Sequence, residues 1–501
     1  MADKPRKQIK NSDKRRFPAL FRVGAMAMAW ALAFSAFSSF LHEVFRSTSL
    51  DMALHSQILW NLAHGRFMET SLLPHSFAAN HFWPGFYLLV PVYQLFGVHG
   101  ILALQCLTVA SGAFAAFWLS RDITKSDAWS LALALAYLLQ PTLSAGVLFD
   151  CHLELFSVPF ALFALLGLRR NRPWFWLCLL VSVAFYEIVA VVFFFLGLGL
   201  LLVRGRRRTG GLIALFCLMY LGMVFFVAMP HSGGGTIPHW GRYSHLGRNF
   251  AEATANVLLH PLRSLSGGVT LREVAKLRYL FLAFGLLPLF SLKHLLPALP
   301  LVFVLLLSNV GINADIRYGY MAPVLPFLFL SAAHGVAKLK RAGWLDPWRF
   351  NRYGPYVLVA CSVLVCGYFQ VKRPLRRAPF RVRSNLVELR AVRGLVPKDA
   401  GLSADNHLGP HFADRALLLV TPSTKRGGTA VDYVLADLRE MEFKDSRWWE
   451  DMKTMLLDGE YGPVYFSNDV LLLQRGHENE PLARQALERI GARQQAVRQR
   501  H

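Results

Sequence analysis

Cysteine is scarce, with six in 501 residues: Cys106, Cys178, Cys217, Cys361 and Cys366 fall in apolar segments and Cys151 in a short loop. That usage excludes a disulfide framework, and no paired spacing suggests a cysteine-held metal. Acidic residues are also few, 31 Asp and Glu against 54 Lys and Arg, and charged residues make up only 17% of the chain. No usable P-loop, Rossmann glycine fingerprint, G-x-S-x-G elbow or H-E-x-x-H motif occurs. Nucleotide-driven chemistry therefore has no support, which points to a membrane-borne, pre-activated substrate. The two halves also lack the internal symmetry carried by transporters built from repeats.

Apolar surface is what the chain has in quantity. Hydrophobic residues account for 54% of it, above the roughly 45–50% of soluble domains. Runs such as VGAMAMAWALAFSAFSSF and IVAVVFFFLGLGLLLV approach the length that crosses a bilayer. The net charge of +23 sits in basic clusters between these runs, the pattern of cytoplasmic loops in a polytopic membrane protein rather than of a nucleic-acid binder.

Helices are expected at about 23–41, 99–120, 128–147, 153–168, 173–186, 188–203, 211–229, 279–292, 295–310, 320–337 and 354–370. These make eleven crossings, a mainly α transmembrane bundle. Segments 1–22, 121–127, 169–172, 204–208, 293–294 and 338–353 then lie on one side and together carry +18 of the +23. This places the N-terminus in the cytoplasm and the C-terminus outside, in a multi-pass protein of the cytoplasmic (inner) membrane. Three regions face outward: 42–98, with an interfacial piece FYLLVPVYQLFG; 230–278; and a tail, 371–501. The tail reads as a small extracytoplasmic α/β domain, with strands ALLLV and DYVLADL, a helix SRWWEDMKTMLL, a hairpin VYFSNDVLLL turning at Asn468 and Asp469, and a last basic helix at about 481–499. That last helix either touches lipid head groups or is a solvated end.

An ionisable side chain at membrane depth is costly, so those near the outer ends of helices are functional candidates. Asp51 opens DMALHSQILWNLAHGR, in which Asp51, His55, Ile58, Leu59 and Leu62 share one helical face; the carboxylate is either a base or the helix N-cap. Asp150, His152 and Glu154 alternate in FDCHLELF and either bind substrate, hydrogen-bond across a polar turn, or contribute with Asp51 to a Mg²⁺ or Mn²⁺ site through Asp150 and His152. Glu187, between two short apolar helices, needs a partner such as His, Arg or a sugar hydroxyl. His81 is expected near these groups. Arg242, Tyr243 and Arg248 in one outer loop, and Arg317 with Tyr318 in another, are candidates to grip a lipid phosphate.

Several motifs carry a resemblance: DMALHSQILWNLAHGR, NHFWPGFY, FDCHLELFSVPF, FYEIVAV, GRYSHLG with the following HPL, LSADNHLGPHFADR and DYVLADL. In this order, over residues 45–440, the chain resembles the GT-C superfamily of polytopic glycosyltransferases, and within it a prokaryotic membrane family catalogued as a domain of unknown function. The resemblance implies a GT-C-like fold and sugar transfer from a polyprenyl-phosphate donor to an acceptor on the outer face. It implies catalytic roles for Asp51, as base or acceptor-orienting acid, and for His81 and Glu187. Met52 stands where a second acid often follows, which argues against a metal-dependent mechanism, and Tyr186 replaces a lysine that precedes the acid in relatives. Two other classes stay open: a transporter or flippase, and a non-catalytic lipid-sugar-binding or assembly protein of the cell envelope.

Overall fold

Long apolar runs satisfy their own backbone groups only as helices, and every apolar segment expected to cross the membrane is helical in the computed structural model. The structure describes residues 4–233, 238–266, 271–316, 318–343, 346–370, 382–440 and 445–498. Among the described residues six helices are long and apolar enough to span: Pro18–Glu43, Phe86–Thr124, Asp127–Gly146, Arg207–Ser232, Ala322–Ala342 and Pro347–Gln370. The protein is thus a multi-pass, mainly α membrane protein, with a smaller mixed α/β region toward its C-terminus.

One detail of the helical layout differs from expectation. The segment expected as one helix at 279–292 is a helix ending at Leu282 and a 3-10 turn over Leu287–His294, bent by 98°. Gly285 and Leu286, both left-handed at φ 58 and 60, make the bend. Counting this pair as one span gives seven. The interfacial piece FYLLVPVYQLFG and the helix that follows it within Phe86–Thr124 are, as expected, two helices, and they meet at a kink at Gly97, with φ 57 and ψ −150. A left-handed φ of that kind is cheap for glycine alone. The helices Trp174–Phe185 and Val189–Leu201, of 12 and 13 residues, rise only about 18–20 Å, short of a bilayer core of about 30 Å, as their sequence suggested.

By its internal contacts the chain divides into two compact units. The first gathers Met1–Ser38, Ala78–Phe86 and Leu102–Arg377, the membrane helices. Its helices close tightly where side chains are small: a Cβ on Gly335 would come within 2.1 Å of the Leu287 carbonyl. Ser331 Oγ donates to the carbonyls of Pro288 and Ser291, both at 2.9 Å. The bent segment is thereby fixed along helix Leu325–Ala342.

The second unit gathers Ser39–Phe77, Tyr87–Ile101 and Ala378–His501. Its strands are β1 (Leu402–Ala404), β2 (Leu418–Val420), β3 (Lys425–Arg426), β4 (Thr429–Ala430), β5 (Tyr433–Asp437), β6 (Tyr461–Ser467) and β7 (Val470–Arg475). Five form one sheet in the order β2-β1-β5-β7-β6, parallel around β1 and antiparallel around β7. The two-residue period of strands sorts the side chains between two cores. Leu402, Leu435 and Leu472 face a core that also holds Phe45, Ala53, Leu389 and Val392. Val434, Ala436, Leu471 and Leu473 face helices Ser446–Leu457 and Glu480–Arg498 through Trp448, Trp449, Met452 and Ile490.

The β6–β7 hairpin turns at Asn468 and Asp469, left-handed at φ 48 and 68, the two-residue turn that follows strand twist. Asp469 is fully buried and accepts from Arg439 Nε at 2.7 Å, Arg489 Nε at 2.5 Å and Arg493 at 2.5 Å. The last helix therefore uses two of its arginines to lock onto the sheet. Burial alone pushes the Asp469 carboxyl up, but the hydrogen bonds from Arg489, Arg493 and Arg439 together outweigh it and hold it well below the usual carboxylate range. Its contribution to stability is complete above the unfolded value of 3.8 and is lost as the pH falls below it. Asp469→Asn is expected to speed amide exchange across 480–498 by about tenfold or more at neutral pH, and to remove the loosening that wild type shows on acidification; exchange equal to wild type in that helix would contradict this role.

Candidate functional site

Two polar constellations stand out, one in each unit. In the membrane unit, the short helices Trp174–Phe185 and Val189–Leu201 break at Tyr186, whose backbone is extended at φ −156 and ψ 105. The break turns Glu187 into the protein, where it is buried. Glu187 Oε1 lies 2.9 Å from His81 Nδ1, and Glu187 Oε2 accepts the Trp83 indole N–H. His81 and Trp83 stack with centroids 4.5 Å apart, and Gly85 N–H donates to the Ala184 carbonyl at 2.9 Å. The motif NHFWPGFY is thus folded against the tip of FYEIVAV. The partner that Glu187 required is His81 together with Trp83, and the carboxylate orients the imidazole.

The FDCHLE turn is built by Gln105, whose side-chain N–H₂ donates to the Asp150 carbonyl at 3.2 Å while its oxygen accepts from His152 N–H at 2.6 Å. Asp150 is left-handed at φ 59. His152 and Glu154 are buried beside Gly319, where a Cβ would sit 3.5 Å from both. His152 Nδ1 is buried and has no hydrogen-bond partner among the described residues. The ring of Tyr318 meets Phe149 edge-on at 5.4 Å. The buried Tyr186 lies in the field of Glu154, Glu187, Tyr320 and Tyr243, which draws four separated motifs into one neighbourhood.

Of the phosphate candidates, Arg242 donates to Asn313 Oδ1 at 3.3 Å and its carbonyl accepts from Asn309 N–H at 2.9 Å. Tyr243 packs beside Leu246, Ala253 and Leu307. Arg248 is exposed. Arg317 lies outside the described residues. One cation escaped the sequence reading: Lys276 Nζ is 3.2 Å from Asp315, which is buried.

Asp51 and His55 belong to the second unit. Asp51 is not the N-cap of its helix. It sits in a π-turn, Ser49–Ala53, ahead of helix Leu54–Ala63, and its carboxylate accepts from Thr48 Oγ1 at 3.3 Å. The helix, expected to be amphipathic, is buried at eight of its ten residues, including His55, Ser56, Gln57 and Asn61. Within it Gln57 donates to Ser71 Oγ at 2.8 Å and the Arg415 carbonyl at 3.0 Å and accepts from Thr70 Oγ1 at 2.7 Å, which satisfies its buried amide. His55 meets Phe77 edge-on at 5.9 Å.

The Asp51 turn is gripped by the tail motif LSADNHLGPHFADR. Ser49 N–H donates to Asn406 Oδ1 at 3.0 Å, Ser49 Oγ donates to the Asn406 carbonyl at 2.9 Å, and His407 Nδ1 reaches the Ser47 carbonyl at 2.9 Å. Gly409 passes so close that a Cβ there would fall 2.2 Å from Ser49 Oγ. Asn406 was not among the residues singled out from sequence; its one signal there was its place in a motif of the resemblance.

The family described as Predicted membrane protein (DUF2079) matches residues 41–472. The chain belongs to the DUF2079 family. Both constellations of this DUF2079 chain fall within the matched residues. Two solved structures are similar to it, ArnT from Cupriavidus metallidurans bound to undecaprenyl phosphate and the same protein in the apo state. Identity to each is 14%; the first match covers 90% of this chain and 97% of the other at a TM-score of 0.47, the second 89% and 98% at 0.45. Likeness of that degree says nothing of substrate by itself. No curated protein matches the DUF2079 chain.

The residues do not fit a divalent ion. Among the described residues no three His, Cys, Asp or Glu side chains are grouped to hold a metal. No catalytic step is routed through Mg²⁺ or Mn²⁺. Chemically, the membrane unit offers a carboxylate-held imidazole and the second unit a half-buried carboxylate on a clamped turn. Trp83→Phe, which strips a donor from buried Glu187, is expected to cost about 1–3 kcal/mol, read as a lower thermal midpoint of the purified protein in detergent; an unchanged midpoint would show that this bond does not hold the hairpin tip.

Proposed function

We propose that this protein transfers a sugar from a polyprenyl-phosphate donor to an acceptor on the outer side of the membrane, with inversion, and that Asp51 is the base. The observation that carries the reading is the construction around Asp51. A carboxylate left half-buried, bound only weakly by Thr48, stands on a turn that three hydrogen bonds from residues 406 and 407 hold rigid. A cap or a packing residue has no need of such support, whereas a base must be held in place and remain reachable. The absence of nucleotide-binding motifs in the sequence and the GT-C resemblance of the motif order supply the donor class.

In the reaction, Asp51 takes the proton of an acceptor hydroxyl as its oxygen attacks the anomeric carbon. The bond from that carbon to the lipid phosphate oxygen breaks, and the phosphate leaves with the electron pair. Cationic side chains stabilise the charge on the departing phosphate.

A transfer assay on purified protein with a panel of polyprenyl-phosphate sugars tests this. Asp51→Asn is expected to lower transfer by about 10²–10⁴-fold at an unchanged thermal midpoint; full activity in that variant sinks the assignment, and no transfer by wild type from any donor favours the binding or transport alternatives. The orientation has its own test. A periplasmic reporter fused after His501 is expected to be active and the same fusion before Met1 inactive, with the reverse pattern contradicting the placement.

A further inference from the structure

At one end of the membrane unit, two imidazoles lie face to face. His294, at the end of the bent 3-10 segment, and His334, on helix Leu325–Ala342, have ring centroids 3.7 Å apart and planes within 6°. Their seat is rigid: His294 Nδ1 is 2.9 Å from Ser291 Oγ, and the Gly335–Leu287 approach and the Ser331 hydrogen bonds fix the segment to the helix.

Among the described residues the charged side chains that act most on this pair are basic: Arg169, Lys293 and Arg341 on His334, and Lys293 and Arg169 on His294. They come from three of the segments that the charge pattern places on the inner side, 169–172, 293–294 and 338–353. Arg169 donates to the Asp122 carbonyl oxygen at 2.9 Å, while the Asp122 carboxylate is taken by Arg170. Arg341 donates to the Ala337 carbonyl at 3.1 Å. Among the described residues none of Arg169, Lys293 and Arg341 has a carboxylate within ion-pair distance. Beside this cluster, Leu289, Leu292, Leu296 and Leu299 are exposed on the same bent segment and its continuation.

We propose that this cluster is a binding site for the headgroup phosphate of an anionic phospholipid, with the acyl chains along the leucines. Three cations with no carboxylate in ion-pair distance attract an anion, and a phosphodiester supplies one negative charge with several acceptor oxygens. The leucine row beside the charges selects an amphiphile over a free anion, because only a lipid covers both surfaces at once. The site stands apart from sugar transfer and does not depend on it.

The test uses the full chain in neutral detergent, titrated with phosphatidylglycerol, phosphatidylcholine or inorganic phosphate, with bound lipid read by native mass spectrometry and stability by thermal midpoint. Wild type is expected to bind phosphatidylglycerol at least about tenfold more tightly than phosphatidylcholine. Lys293→Gln with Arg341→Gln, both exposed positions, is expected to weaken phosphatidylglycerol binding about twenty-five-fold, roughly fivefold for each charge removed. Arg204→Gln with Arg208→Gln removes as much charge from another exposed basic cluster and is expected to leave that affinity unchanged. Equal binding of the two lipids overturns the proposal, as do equal losses in the two double variants. A full stability shift from inorganic phosphate alone overturns its commitment to lipid.

Discussion

Residues 49 and 406 are far apart in sequence, and two hydrogen bonds between them organise the second unit. Ser49 gives both its backbone N–H and its hydroxyl to Asn406. The loop that presents Asn406 is itself anchored, since Asp405 accepts from Asp437 N–H at 2.8 Å on β5 and from the Thr421 hydroxyl, and its carbonyl accepts from the Leu408 and Gly409 amides. The order of dependence thus runs from sheet to loop to turn to carboxylate. Phe45 and Ala53, on either side of Asp51, are buried in the same core as Leu435 and Leu472. His42 adds a further contact, stacking on His411 at 4.2 Å. Burial, with His42 and Arg393 nearby, pushes the His411 imidazole well below its ordinary value, so it stays neutral in that core.

In the membrane unit the governing constraint is different. A polar group away from water must find a partner within the protein, and the sequence supplies those partners from remote places. Glu187 finds His81 and Trp83 a hundred residues upstream, Asp315 finds Lys276, and the FDCHLE turn finds Gln105. Each pairing also fixes the backbone of a turn between apolar helices.

Much of this architecture is legible in the sequence. Apolar run lengths locate the helices, the alternation in DYVLADL and VYFSNDVLLL gives the strands, and Asn468 with Asp469 marks the turn. His81 and Glu187 can be nominated singly because charged and polar groups in apolar surroundings are conspicuous. Their pairing cannot, because it depends on tertiary approach. The same limit hides Asn406, Gln57 and Gln105, ordinary polar residues whose importance lies only in what they reach. The Gly285–Leu286 bend is invisible for another reason: it rests on backbone angles inside a run whose composition stays apolar. Asp51 misleads in an instructive way, since its type and position suit an N-cap, but the π-turn moves the helix start to Leu54.

The account stands on the claim that the tail holds the Asp51 turn in place. Hydrogen–deuterium exchange over residues 48–54, compared between wild type and Asn406→Ala at neutral pH, tests it most directly. Slow exchange in wild type, with a rise of about tenfold or more confined to this turn in the variant, is the predicted result. Equal exchange in the two proteins would contradict it.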